Sequence, residues 1–169
     1  MKSSIVSPRR AVTVLIVLML LGALLLGVVA QRNIASANAI EARGSSRDAV
    51  VDVAREAAVA FTSYDYRSLD RSFSRLAALA TKDFDEQFVQ ASTQLKPLIA
   101  KKKASSTGRV LAVSVLKEPS STSAAVLVAA DATVRNTDVP KGAVQRFRLR
   151  IELRQVGGKW LVKEITPVV

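Results

Sequence analysis

VQRFRLRIELRQVGGKWLVKEIT, residues Val144 to Thr166, is the stretch whose reading decides the fold. Its first part alternates with period two. Phe147, Leu149, Ile151 and Leu153 share one side, and Arg146, Arg148, Arg150, Glu152 and Arg154 share the other. Successive side chains of a strand point to opposite faces, so this pattern predicts a strand over 144–156 with one dry face and one charged face. Gly157-Gly158 is a two-residue hairpin signal, and a further strand follows from Lys159 to about Thr166. The register set by that turn places Leu153 opposite Val162 and Glu152 opposite Lys163.

The same period runs upstream. Val126, Val128, Ala130, Ala132 and Val134 occupy the even positions of a strand expected over 124–135. Asn136 to Ala143, with Pro140 and Gly142, reads as the loop between. Setting Ala132 opposite Phe147 puts Asp131 opposite Arg148 and keeps the apolar positions of both strands on one side. An earlier strand is expected from Arg109 to Leu116, with Glu118 to Ser123 as its turn. Four antiparallel strands result.

Before Thr107-Gly108 the period is helical. Ala49, Val50, Val53, Ala54, Ala57, Ala58 and Phe61 form an i, i+3, i+4 stripe and predict a helix over about 47–63. Tyr64-Asp65-Tyr66 interrupts it. Ser68 is an N-cap for a short helix from Leu69 to about Ala80, with Phe73, Leu76, Ala77 and Ala80 inward. Thr81 caps a third helix that carries Phe84, Phe88, Ala91 and Leu95 inward. Pro97 lacks an N–H and is expected to kink or restart it. Lys101, Lys102 and Lys103 close it, where ammonium groups complement unpaired carbonyls.

The N-terminal quarter differs in kind. Residues 1–10 are basic, with Lys2, Arg9 and Arg10 and no acid. Ala11 to Ala30 follows as about twenty uncharged, mostly apolar residues, roughly 30 Å as a helix. A single transmembrane helix over 11–30 is expected, with a stalk or helix extension over 31–46. The competing reading is a cleaved signal peptide with Ala37-Asn38-Ala39 as the site, against which stands the length of the apolar run. Basic flanks stay on the cytoplasmic side, so the N-terminus is expected inside and residues 47–169 outside, at the cell membrane.

Composition narrows the chemistry. Among 169 residues there is no cysteine and no histidine, which removes disulfides, thiolate metal sites, and the commonest general base and metal ligand. No catalytic residue, metal or cofactor is expected. The formal charge is +11, and about +8 remains beyond the apolar run. Such a domain beside a membrane suits anionic phospholipid headgroups or acidic protein partners, and nucleic acid is a poor partner there.

The expected fold class is α+β: a transmembrane helix, then three helices packed on a four-stranded antiparallel sheet, because the helical stripes and the dry sheet face have only each other to cover them. This order resembles the nuclear transport factor 2-like, or cystatin-like, cone. Within it the chain resembles the Mce-associated membrane proteins of actinobacteria. The basic N-terminus, the apolar run, Ala60-Phe61-Thr62-Ser63-Tyr64-Asp65-Tyr66 with Leu69-Asp70, Thr81-Lys82-Asp83-Phe84, and Gly157-Gly158-Lys159-Trp160-Leu161-Val162 with Pro167-Val168 carry the likeness. That family's pattern often has glycine where Lys82 stands. The resemblance implies a non-catalytic accessory subunit that stabilises or assembles a Mce-type importer of fatty acids or sterols, with importer subunits as partners. A similar anchor-plus-cone plan occurs in an assembly protein of type IV secretion channels. The alternatives are therefore an assembly factor of another envelope machine, or a small-ligand-binding or isomerase-like cone.

Two residue groups are candidates for function. Arg146, Arg148, Arg150 and Arg154, with Lys101, Lys102 and Lys103, form a candidate interface for a partner or headgroups, since the arginine fork binds carboxylate or phosphate bidentately. Tyr64, Tyr66 and Glu164 are candidate pocket residues. Glu164 shares the parity of Trp160 and Val162 and so points inward on strict alternation. The competing account of Tyr64-Asp65-Tyr66 is a helix-to-helix corner.

Overall fold

The computed structural model describes residues 44–168. Over these the order is helix α1 (44–62), strand β1 (Tyr64–Asp65), helices α2 (Leu69–Ala77) and α3 (Lys82–Lys101), then strands β2 (Ser105–Lys117), β3 (Ser123–Arg135), β4 (Ala143–Val156) and β5 (Lys159–Pro167). The strands make one antiparallel sheet in the order β1-β2-β3-β4-β5.

The fold is α+β, but the expected four-stranded sheet is corrected to five. The added strand comes from the residues read as an interruption: Tyr64 pairs with Ser106 and Asp65 with Ser105. Two residues carry no readable alternation, so only the edge of β2 reveals them. The transmembrane part of the expected fold class falls on 11–30, outside the described residues. Among the described residues no helix is long and apolar enough to cross a membrane.

The core lies between the helices and the dry face. Val50, Ala54, Ala57 and Ala58 of α1 and Leu76 of α2 bury against Val126, Val128, Leu149, Ile151, Leu153, Trp160 and Val162. Alanines on α1 let that helix lie close to the sheet. A close approach is at Gly108, where a Cβ would stand 1.9 Å from Thr62 Oγ1. Ser106 Oγ donates to the Thr62 carbonyl at 2.6 Å, and the Gly108 N–H donates to Ser63 Oγ at 2.9 Å. These bonds fix the end of α1 to β2. Its first turns reach the other end, where Arg47 pairs with Glu118.

Both helix starts predicted from sequence are found, with different chemistry. Thr81 accepts from the Phe84 N–H at 3.4 Å. Ser68 occupies the N-cap position without a side-chain cap; its carbonyl accepts from Ser72 Oγ at 3.0 Å. α3 runs through Pro97 as one helix. Phe84 and Phe88 pack against the core, and Phe88 meets Phe73 edge-on. Ala91 and Leu95 do not follow them inward: both are exposed, and buried Ser92 takes the inward side.

Two registers differ from expectation. The β3–β4 ladder is displaced by two residues, so Ala130 faces Phe147 and Asp131 faces Arg146. A shift of two keeps every side chain on its face, which is why the hydrophobic pattern could not distinguish the two. On β5 the hairpin sets Leu153 opposite Val162 as expected, but the next pair is Glu152 with Glu164, with Lys163 as an inserted bulge residue.

Candidate outer-face interface

The face of the sheet away from the helices carries the charge. On β4 the odd positions hold Phe147, Leu149, Ile151 and Leu153 against the core, so the even positions project Arg146, Arg148, Arg150 and Arg154 outward. All four are exposed. Arg150 Nη2 lies 2.9 Å from Glu152 Oε1, and Lys163 Nζ lies 3.7 Å from Glu152 Oε2. Among the described residues no ion pair holds Arg146, Arg148 or Arg154. Three guanidinium groups with their forks open to solvent form a surface that can receive carboxylates or phosphates.

The three lysines do not extend this surface; they end α3. The Ala104 N–H donates to the Ile99 carbonyl at 2.9 Å and the Lys103 N–H to the Ala100 carbonyl at 3.0 Å, a Schellman ending. Lys103 takes the left-handed position with φ 49°. Lys102 pairs with Asp138 at 2.8 Å, which lowers the Asp138 carboxyl below its ordinary value.

The pocket candidates are not brought together. Tyr64 lies on β1 and Glu164 on β5, the two edges of the sheet. Four strand spacings of ~4.8 Å separate those edges by roughly 19 Å. Glu164 is exposed because the bulge at Lys163 reverses its parity; it accepts from Thr166 Oγ1 at 3.0 Å. Tyr64 is half-buried, and burial raises its phenol pKa. Between the tyrosines, Asp65 accepts from Arg67 Nη2 at 2.6 Å and from the Arg67 N–H at 2.9 Å. These bonds hold its carboxyl down at about 2. The Arg67 guanidinium also lies 5.6 Å from the Tyr66 ring centre. This is a corner of the chain closed on itself.

Sequence reasoning missed two leucines. Leu111 and Leu116 of β2 are each about half exposed, at 53% and 54%. Both are bulge residues, inserted between Val110 and Ala112 and between Val115 and Lys117. Leu116 borders, with Arg150 and Glu152, a concavity of about 720 Å³ on the outer face. The signal available was the run Val110 to Leu116, in which apolar residues fill both parities of one strand. Among the described residues no group of acids is placed to hold a metal ion.

An antiparallel sheet with helices packed on one face is a fold that this chain shares with solved periplasmic domains. The chain is similar to the periplasmic domain of DotI, with a TM-score of 0.61 and 16% identity over 72% of this chain and 94% of that one. It is similar also to CagV, a VirB8 homologue of the type IV secretion system of Helicobacter pylori strain 26695, with a TM-score of 0.57 and 11% identity over 72% and 97%. By sequence the chain belongs to the family described as "Uncharacterized protein Rv1363c/MT1408-like", whose model matches residues 5–168. Rv1362c of Mycobacterium tuberculosis H37Rv is 29% identical over 74% of this chain and 56% of its own length. Rv1363c of the same strain is 25% identical over 66% and 42%. The chain thus spans about half the length of the curated relatives it matches.

Proposed function

We propose that this protein is a non-catalytic assembly factor of an envelope transport or secretion machine, with its cone outside the cytoplasm and protein partners held on the outer face of the sheet. The observation that carries this is the open arginine row. Among the described residues, Arg146, Arg148 and Arg154 are exposed without an ion-pair partner, on the sheet face away from the helices. A neighbour in fold adds support, since CagV is a VirB8 homologue of a type IV secretion system. A Mce-type lipid importer is the finer reading. It rests on the sequence resemblance around Tyr64-Asp65-Tyr66 and takes importer subunits as partners and fatty acids or sterols as cargo.

Charge reversal tests the interface. A tagged full-length Arg148→Glu/Arg150→Glu variant should lose the envelope proteins that co-purify with the parent and keep the parent's melting temperature. Unchanged co-purification removes the outer face from the account. The identity of the co-purified proteins, importer subunits or secretion-channel subunits, decides between the two machines.

A further inference from the structure

The outer face is more than a row of charges. β3 runs down its middle with Ala125, Leu127 and Ala129 facing outward. Across one ladder these stand beside Glu152, Arg150 and Arg148; across the other they stand beside Lys117, Ser114 and Ala112. Strict alternation from Val110 would have turned Ala112 and Ser114 toward the core. The bulge at Leu111 restores Val113 and Val115 to the core side, and the bulge at Leu116 returns Lys117 to the outer side. Each bulge sends a leucine to solvent.

A trough results. Ala125, Leu127 and Ala129 run along its floor, Leu111 and Leu116 stand along one side, and Arg148 and Arg150 along the other. The sides are two strand spacings apart, about 10 Å, close to the diameter of an α-helix with its side chains. From Ala125 to Asp131 the trough runs roughly 20 Å, between three and four helical turns.

We propose that this trough docks an acidic amphipathic helix of a partner protein. The helix axis lies along β3, its apolar stripe meets Leu111, Leu116 and Leu127, and its carboxylates meet Arg148 and Arg150. The inference rests on the assembly-factor reading and adds the chemistry of the partner. Charge selects the occupant: the described residues carry 20 basic and 13 acidic side chains, so a second copy would bring arginines to arginines. Burial of the apolar side supplies affinity, and the arginine row fixes which way the helix lies.

The test is photo-crosslinking of the full-length chain in its membranes, with p-benzoylphenylalanine in place of Leu127 and the crosslinked peptide sequenced. The expected product is a peptide with acidic residues and an apolar stripe at helical spacing. Ala129→Trp, which fills the trough and leaves the charge unchanged, should reduce the product at least tenfold. Arg148→Glu/Arg150→Glu should do the same. A lipid adduct, a product from a second copy of the chain, a basic peptide, or no protein product overturns the proposal. So does full crosslinking in Ala129→Trp. In that last case, loss in the double reversal alone leaves the arginine interface standing and removes only the trough.

Discussion

Glu152 and Glu164 stand directly opposite one another across the β4–β5 ladder. Two carboxylates at paired positions repel, by about 0.2–1 kcal/mol in an antiparallel sheet. Lys163 Nζ and Arg150 Nη2 both reach Glu152, so the bulge that creates the clash also brings a cation to it. Glu164→Gln should therefore stabilise the domain by about 0.2–1 kcal/mol. Urea unfolding in low salt measures this, and the gain should shrink at 0.5 M salt as screening sets in. A loss of stability on this substitution would show that Glu164 has an attractive partner.

Lys103 holds a position that suits glycine. A left-handed residue with a Cβ costs about 1–2 kcal/mol relative to one without, and the Schellman bonds around it hold the conformation in place. Lys103→Gly should raise stability by about 1 kcal/mol, less what the loosened unfolded chain takes back. Thermal unfolding checks it. Lys101→Gly, two residues earlier inside the helix, should act in the opposite sense.

Gly108 should tolerate no side chain. The Cβ of Gly108→Ala would fall 1.9 Å from Thr62 Oγ1 and 2.8 Å from Thr62 Cβ, forcing α1 from β2. A cost of about 1–3 kcal/mol is expected by urea unfolding. Thr62→Ala in the same chain removes the nearer atom and should recover part of it. Full additivity of the two losses would count against this contact.

Leu76 and Leu95 separate the core from what merely resembles it. Leu76 is 1% exposed, and Leu76→Ala should cost about 2–5 kcal/mol. Leu95 lies on the helical stripe read from sequence but is 52% exposed, and Leu95→Ala should change stability by no more than about 0.5 kcal/mol. Denaturant midpoints of the two variants make the comparison directly.

Asp65 gives a pH dependence with a definite sign. Its carboxyl is lowered to about 2, first by the Arg67 side chain, then by the Arg67 backbone N–H. A carboxyl lowered on folding adds stability that is complete above its unfolded value near 4 and is lost as pH falls through about 2. A carbon-13 NMR titration should follow that low midpoint. Arg67→Ala should move it back toward the ordinary carboxylate range, and an unmoved midpoint would assign the shift to another group.

Much of the architecture was legible because it is periodic. The alternation over 144–156 and 124–135 assigns the dry and charged faces, and the α1 stripe of Val50, Ala54, Ala57 and Ala58 is buried as read. The arginine row follows from the same parity. Other features carried no local signal. A two-residue register shift leaves every face unchanged, so Asp131 could be matched to Arg148 or to Arg146 by pattern alone. The bulge at Lys163 breaks the parity that had turned Glu164 inward, and with it goes the link to Tyr64 and Tyr66. The α3 stripe continues past the point where the core ends, so its spacing did not reveal that Ala91 and Leu95 face solvent.

Among the described residues, the sequence by itself determined the three helices, the four long strands and which strand face is charged, since those depend on backbone sterics and side-chain period within a few residues. Only the tertiary structure decided the fifth strand, the ladder registers and the three bulges. Those depend on which distant segments meet and on what each must give up to stay hydrogen-bonded while burying its apolar side. The trough beside the arginines belongs to that second kind, because Leu111 and Leu116 reach it only after β2 has fitted itself to β3.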